Sequence, residues 1–222
     1  MIHIVDLDGN LHDVESWPDK QIATGVALIT DKISIVIGPI EWCGIVNENY
    51  AVKTPSGIQW SSCYGGHGKL VPNCTTIENT RDGFNKLDTD LDGSVNTKAL
   101  IDYLKNTQDD YFEQKHYTSS PSAEWCNLYY NGFYGEGDWY MPAIGEIIEI
   151  LKYRDEINIA LEKIDAVQIK ENYYTPYRML SSTQCCKDSA WMCYPDESED
   201  KRFFPDCKCT CASIRPVCKY KR

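Results

Sequence analysis

The sequence predicts an α+β fold, and three observations carry that expectation. β-branched apolar runs fill the N-terminal region ("TGVALIT", "ISIVIGPIEW"), two helical stripes occupy the middle, and short strand-like segments return after Tyr173. Strands and helices are segregated, with no βαβ alternation and no internal repeat. The N- and C-terminal strands are therefore expected to share a sheet.

Taken in order, "MIHIVDLDGNL" reads as a strand, a turn at Asp8-Gly9 and a second strand start, and "DK" separates the next two β-branched runs. Residues 53–96 carry Gly, Pro, Asn, Ser and Thr throughout, which predicts long ordered loops. "SVNTKALIDYLKNT" then sets Val95, Ala99, Leu100, Ile101 and Leu104 on a helical stripe, with Ser94 or Asn96 as its cap. A second helix follows "GDWYMP". Ile144, Ile147, Ile148 and Leu151 recur at helical spacing, and Pro142 stands at its start, where a missing N–H does no harm. "INIALEKIDAV" either continues that helix or forms a short third one.

With 222 residues, the chain has enough material for a hydrophobic core without staples. Its net charge of -11 and pI near 4.8 argue against a nucleic-acid partner, because phosphate neutralisation needs clustered Lys and Arg. The locally basic "CKYKR" reads as a solvated tail. No run approaches the roughly 18 apolar residues that span a bilayer, and the N-terminus lacks the pattern of a signal peptide. Neither membrane insertion nor a leader within these residues is expected. Fifteen Tyr and six Trp suit both irregular cores and recognition surfaces, where amphipathic aromatics are enriched, and the excess mildly favours binding.

Several segments have chemistry-like patterns. "DTDLDGSVNTKA" begins like a calcium loop, with Asp88, Asp90 and Asp92 at alternate positions, but Ala99 stands where the bidentate Glu belongs. The preferred reading is an Asp-rich turn leading into a helix. Cys63, His67 and Cys74 in "SSCYGGHGKLVPNC" lack a second pair at zinc-like spacing, so an exposed glycine loop is expected instead. Glu146 and Glu149 share a helix face and read as solvated. No nucleophile elbow or HExxH motif occurs, so neither catalysis nor a cofactor is expected. Alternation along a strand would aim Cys207, Cys209 and Cys211 in "CKCTC" at one face, as three partly buried thiols or a soft-metal clamp.

The segment "GDWYMPAIGEIIEIL", with "DGSVNTKALI" before it and "MLSSTQ…AWM…IRPVCKY" after it, resembles the Lcl C-terminal-like domain family of bacterial and phage proteins. The matching positions are Trp139, Tyr140, Met141 and Pro142; Glu146 and Ile147; Leu180, Ser181, Ser182 and Thr183; and Ile214, Arg215, Pro216, Val217 and Cys218. Met141, Leu180 and Cys218 depart from the family's usual residues. The resemblance implies a C-type-lectin-like domain over residues 22–222, with two main helices, a small antiparallel sheet and long ordered loops, preceded by a strand and turn over residues 1–21.

Several relatives with this fold are targets of diversity-generating retroelements, which rewrite Asn codons near the end of the gene; they include phage receptor-binding proteins and bacterial adhesins. Residues 181–220 hold seven of the eleven cysteines and no Asn. Under that implication residues 184–213 form a variable region whose contact residues are Cys185, Cys186, Asp188, Ser189, Cys193, Tyr194, Asp196, Asp206, Cys207, Cys209, Cys211 and Ser213. Trp191 is expected to be framework, with Tyr194, Phe203 and Phe204 as anchors. The implied partner is a cell-surface protein or glycan, and the implied setting is a phage virion or bacterial surface. Two other readings stay open: a formylglycine-generating-type or other thiol or metal enzyme on the same fold, and a structural tail or pilus subunit making oligomer contacts.

Overall fold

At the Asp8-Gly9 turn the Asp6 carboxylate accepts the N–H groups of Asp8 (2.9 Å) and Asn10 (2.8 Å), and Gly9 takes a left-handed φ of 87°. This is the turn expected from the sequence, and it joins β1 (Ile2–Val5) to β2 (Leu11–His12) in the computed structural model, which describes residues 1–41, 57–61, 69–105, 120–169, 178–195 and 197–221. β3 (Gly25–Ile29) and β4 (Ser34–Ile37) form the next hairpin, around a turn in which the Thr30 hydroxyl accepts the N–H groups of Lys32 and Ile33.

These strands join β6 (Trp139–Tyr140) and β11 (Val217–Lys219) in one antiparallel sheet ordered β2-β1-β3-β4-β11-β6. The N- and C-terminal strands do share a sheet. The start of "CKYKR" is therefore strand and not solvated tail: Cys218 pairs with Val36 on one side and Trp139 on the other and is fully buried. The sheet is also larger than the small one implied by the resemblance, because residues 1–12 contribute two of its strands.

Strand alternation divides the core. Val26, Leu28, Ile35, Ile37 and Val217 face α4 (Ile144–Lys152) and α5 (Arg154–Lys163), packing on Ile147, Ile150, Ile157 and Leu161. Ala27, Val36 and Cys218 face the other way, toward Tyr134 and Trp139. "INIALEKIDAV" lies in and just beyond a separate helix, α5, because Tyr153 leaves helical geometry (φ -115°, ψ 21°) between the two.

The loop-like stretch over 57–92 holds β5 (Ile58–Gln59) and the single turn α1 (Arg81–Phe84). α2 (Gly93–Lys105) is the expected first helix, but Val95 is 53% exposed, so the buried stripe is carried by Asn96, Leu100 and Ile101. α3 (Pro121–Leu128) is an element the sequence reading assigned to loop. Its signal is short, a Ser120-Pro121 start followed by Ser122, Ala123 and Cys126 facing inward. After it come β7 (Met179–Gln184), β8 (Ser189–Cys193), the turn α6 (Glu199–Arg202) and β9 (Phe203–Cys207), the three strands forming their own antiparallel sheet; β10 (Cys211–Ala212) pairs with β5.

Arg215 closes the fold between these parts. Its side chain is 1% exposed, donating to Glu41 (2.6 and 3.1 Å) and to the carbonyls of Gly38 (3.0 Å) and Val167 (2.8 Å). Removing one partner of a buried ion pair leaves the other charge uncompensated. Arg215→Met should lower the unfolding free energy in urea titration by about 3–5 kcal/mol, and adding Glu41→Gln should recover part of it. A loss under about 1 kcal/mol would equate the pair with a surface contact.

Candidate binding face

All six residues of β7, "MLSSTQ", are buried, although four are polar. Buried polar groups need partners, and each finds one. The Ser181 hydroxyl donates to the Trp191 carbonyl (2.7 Å), and the Ser182 hydroxyl accepts from Asn96 Nδ2 (3.2 Å). Thr183 Oγ1 accepts the Ile144 N–H (2.9 Å) and donates to Asp90 Oδ2 (2.6 Å). Gln184 Nε2 donates to the Val71 carbonyl (2.8 Å), and its Oε1 accepts the Val71 N–H (3.1 Å). A register shift between Leu180 and Gln184 turns part of this strand away from β8, and Ser182 N–H reaches the Pro142 carbonyl (2.8 Å).

Glu146 completes the junction. Its Oε2 accepts the N–H groups of Gly93 (3.1 Å) and Ala143 (2.8 Å), so one carboxylate caps the starts of both α2 and α4, while Oε1 accepts the Tyr140 hydroxyl (2.8 Å). Ala143 has no side-chain acceptor of its own, so Glu146 supplies the cap from within the helix. Burial pushes its carboxyl up to about 7, against the pull of these donors. The solvated helix face expected for Glu146 and Glu149 is thus corrected: both are buried, and Glu149 is held by Lys152. Helical spacing showed a shared face but not which side of the helix faced water.

The calcium-like aspartates diverge. Asp88 pairs with Lys32 (3.1 Å), Asp92 with Lys219 (2.7 Å) while capping the Ser94 N–H (3.2 Å), and Asp90 is buried against Thr183 and Asn96. Asp92 and Glu146 cap α2, in place of the expected Ser94 or Asn96. Among the described residues no group of three His, Cys, Asp or Glu side chains is placed to hold a metal ion. Cys63 and His67 lie outside the described residues. Cys74 is buried with its Sγ 3.3 Å from the Ser182 carbonyl, and burial pushes its thiol up to about 12.

On this base β8 pairs with β9, Trp191 opposite Pro205 and Met192 opposite Phe204. Trp191 is framework, fully buried with its indole N–H on the Ile77 carbonyl (2.7 Å). β9 is the edge strand, and all five of its residues are half-buried. The register aligns Arg178, Tyr194, Phe204 and Asp206 on one face. Tyr194 stacks on Phe204 (centroids 4.4 Å, 18° between planes), Arg178 lies 5.8 Å from the Tyr194 ring, and Arg178 Nη1 bonds Asp206 Oδ2 (2.8 Å). This cluster joins a flat aromatic surface, a cation and a carboxylate, the groups that recognise rings and polar polymers.

The contact residues expected from the sequence divide in two. Cys186 is exposed, and Asp188, Ser189, Tyr194, Asp206, Cys207, Cys209 and Cys211 are half-buried at the rim. Cys185 (3% exposed) and Cys193 (0%) belong to the core, and Ser213 (5%) donates its N–H and hydroxyl to the Arg178 carbonyl, so these three are corrected to framework. Asp196 lies outside the described residues. "CKCTC" is no continuous strand: Cys207 ends β9, residues 208–209 turn, and Cys211 begins β10. Arg178 was missed by sequence reading, although alternation back from Leu180 places it on the contact face. Lys208, between two cysteines, is buried with its Nζ on the Lys69 carbonyl (2.8 Å) and Gln184 Oε1 (3.2 Å) and 4.6 Å from the Trp60 ring. Burial lowers its ammonium to about 8.

No family model matches the sequence, and no curated protein matches it. A crystal structure of a fimbrial protein from Bacteroides ovatus matches with a TM-score of 0.55 at 13% identity, over 98% of this chain and 48% of that one. At that identity the likeness shows the fold, and the chain spans about half the length of that protein.

The Glu146 carboxyl, which burial makes a weaker acid, sets a pH dependence. The folded state holds its proton more tightly than the unfolded chain, so this contribution is full below pH 4.5 and is lost as pH rises to about 7. Asp90, also raised by burial, acts in the same direction. Glu146→Gln should flatten the fall in stability across that window by roughly 1–3 kcal/mol, measured by urea titration at a series of pH values. An unchanged slope would mean that the carboxyl titrates as in water.

Proposed function

We propose that this chain is a ligand-binding module of a surface appendage, presenting the rim of the β7-β8-β9 sheet to a cell-surface protein or glycan. The observation that carries this reading is the half-exposed cluster of Phe204 and Asp206 on the edge strand β9 with Arg178 just before β7 and Tyr194 just after β8, on a sheet whose other strands are locked into the core. The fimbrial likeness supports the appendage setting. No helix among the described residues is long and apolar enough to cross a membrane.

The fold behind this reading is C-type-lectin-like, of the Lcl C-terminal-like kind. Its support is that the motif positions are coupled in space: Trp139 pairs with Cys218, Glu146 caps the helix that Thr183 also touches, and Arg215 anchors the last strand. Within this reading the rim is the part of the gene that a diversity-generating retroelement rewrites.

Labelled protein applied to an array of cell-surface glycans, and to bacterial cells, tests the face directly. Arg178→Ala and Tyr194→Ala should each weaken binding at least about 10-fold, which is roughly 1.4 kcal/mol, with little change in Tm. Binding that survives both changes would remove the rim as the contact site. Deep sequencing of the gene's 3′ end from its native population tests diversification. Substitutions are expected at codons 186, 188, 189, 194, 196, 206, 207, 209 and 211 and not at 185, 193 or 213, beside a near-copy template and a reverse transcriptase gene; an invariant segment without a template would exclude it.

A further inference from the structure

The turn between β9 and β10 holds Cys207 and Cys209 with their Sγ atoms 2.6 Å apart, inside the roughly 3.5–4.0 Å of ordinary non-bonded contact. The backbone presents them together for reasons that have nothing to do with sulfur. Thr210 N–H closes the turn on the Cys207 carbonyl (2.8 Å), Lys208 N–H donates to the Asp188 carbonyl (3.0 Å), and the Lys208 carbonyl accepts the Ser61 N–H (2.9 Å). Gln59 Nε2 holds the Cys209 carbonyl (2.8 Å), and the Lys208 side chain is sunk in the core. A turn keeps residues two apart near the about 4.4–6.8 Å Cα separation that a disulfide spans. Both thiols are half-exposed, so a small oxidant reaches them.

We propose that Cys207 and Cys209 are a reversible dithiol–disulfide site, oxidised by low-molecular-weight disulfides of the glutathione class. The Cys209 N–H donates to Cys207 Sγ (3.4 Å) and fixes where that sulfur lies, so Cys207 is assigned as the attacking sulfur. It displaces one thiolate from the small disulfide, forming a mixed disulfide. Cys209 then attacks the Cys207 sulfur and displaces the second thiolate. The protein loses two protons and two electrons, which the small disulfide takes up to become two thiols. Closure ties the end of β9 to the turn, directly beside Asp206. The site is a property of the turn and stands whatever the rim binds.

Cys186 is the internal comparator. It lies 3.0 Å from Ser189 Oγ, and Ser189 is paired across the sheet with Cys207. Burial pushes its thiol up, but the Ser189 hydroxyl and nearby N–H groups outweigh this and hold it below its ordinary value. Its neighbour Cys185, which it touches, is buried, so Cys186 is the thiol of that pair that a small disulfide reaches.

The full chain is equilibrated in a graded series of reduced and oxidised glutathione, quenched, alkylated and mapped by peptide mass. Cys207 and Cys209 should lose alkylation together, their peptide lighter by two hydrogens and free of glutathione, while Cys186 takes up glutathione. In Cys209→Ser, checked for folding by circular dichroism, Cys207 should retain glutathione as a trapped mixed disulfide; Cys207→Ser should not form the internal bond. The proposal is overturned if the pair stays fully alkylated where Cys186 is modified, or if each thiol carries its own glutathione.

Discussion

The structure depends on satisfying two buried carboxylates, Asp90 and Glu146, at the meeting point of α2, α4 and β7. A buried carboxylate without donors costs several kcal/mol, so the fold is acceptable only if every surrounding element is in register. Gly93 and Gly145 let the backbones come close enough: a Cβ at Gly93 would lie 2.3 Å from the Met141 carbonyl oxygen, and one at Gly145 would lie 2.4 Å from that of Asp90. A polar junction of this kind specifies one arrangement of helices where apolar packing alone would tolerate several.

That junction immobilises β7, and β7 in turn immobilises β8 through the Ser181 to Trp191 bond. The edge strand β9 then projects from a rigid base, with its turn anchored by Lys208 on Trp60 and Gln184. Side chains at the rim can change with little effect on the core, because their backbone is held from beneath. The same rigidity holds Cys207 and Cys209 side by side.

The elements that the sequence made legible are those whose pattern is local. The β3-β4 hairpin announced itself by β-branched runs around a turn, and α4 by apolar residues at helical spacing. α3 escaped because eight residues with three inward positions give too short a stripe to stand out from loop. At the rim, the aromatic residues and the crowding of thiols were legible. Arg178 was not, because its role comes from a pairing with Asp206, 28 positions along the chain.

The sequence by itself determined the α+β order, the shared sheet of its two termini and the concentration of thiols near the C-terminus, since composition and short-range periodicity carry that information. Only the tertiary structure decided which of those thiols are core and which are rim, that Glu146 points inward to cap two helices, and that "CKCTC" bends between two strands. The physical reason is that burial and hydrogen-bond partnership are properties of pairs far apart in the chain. Glu146 meets Gly93 across 53 positions and Thr183 meets Asp90 across 93, and no local pattern encodes such a meeting.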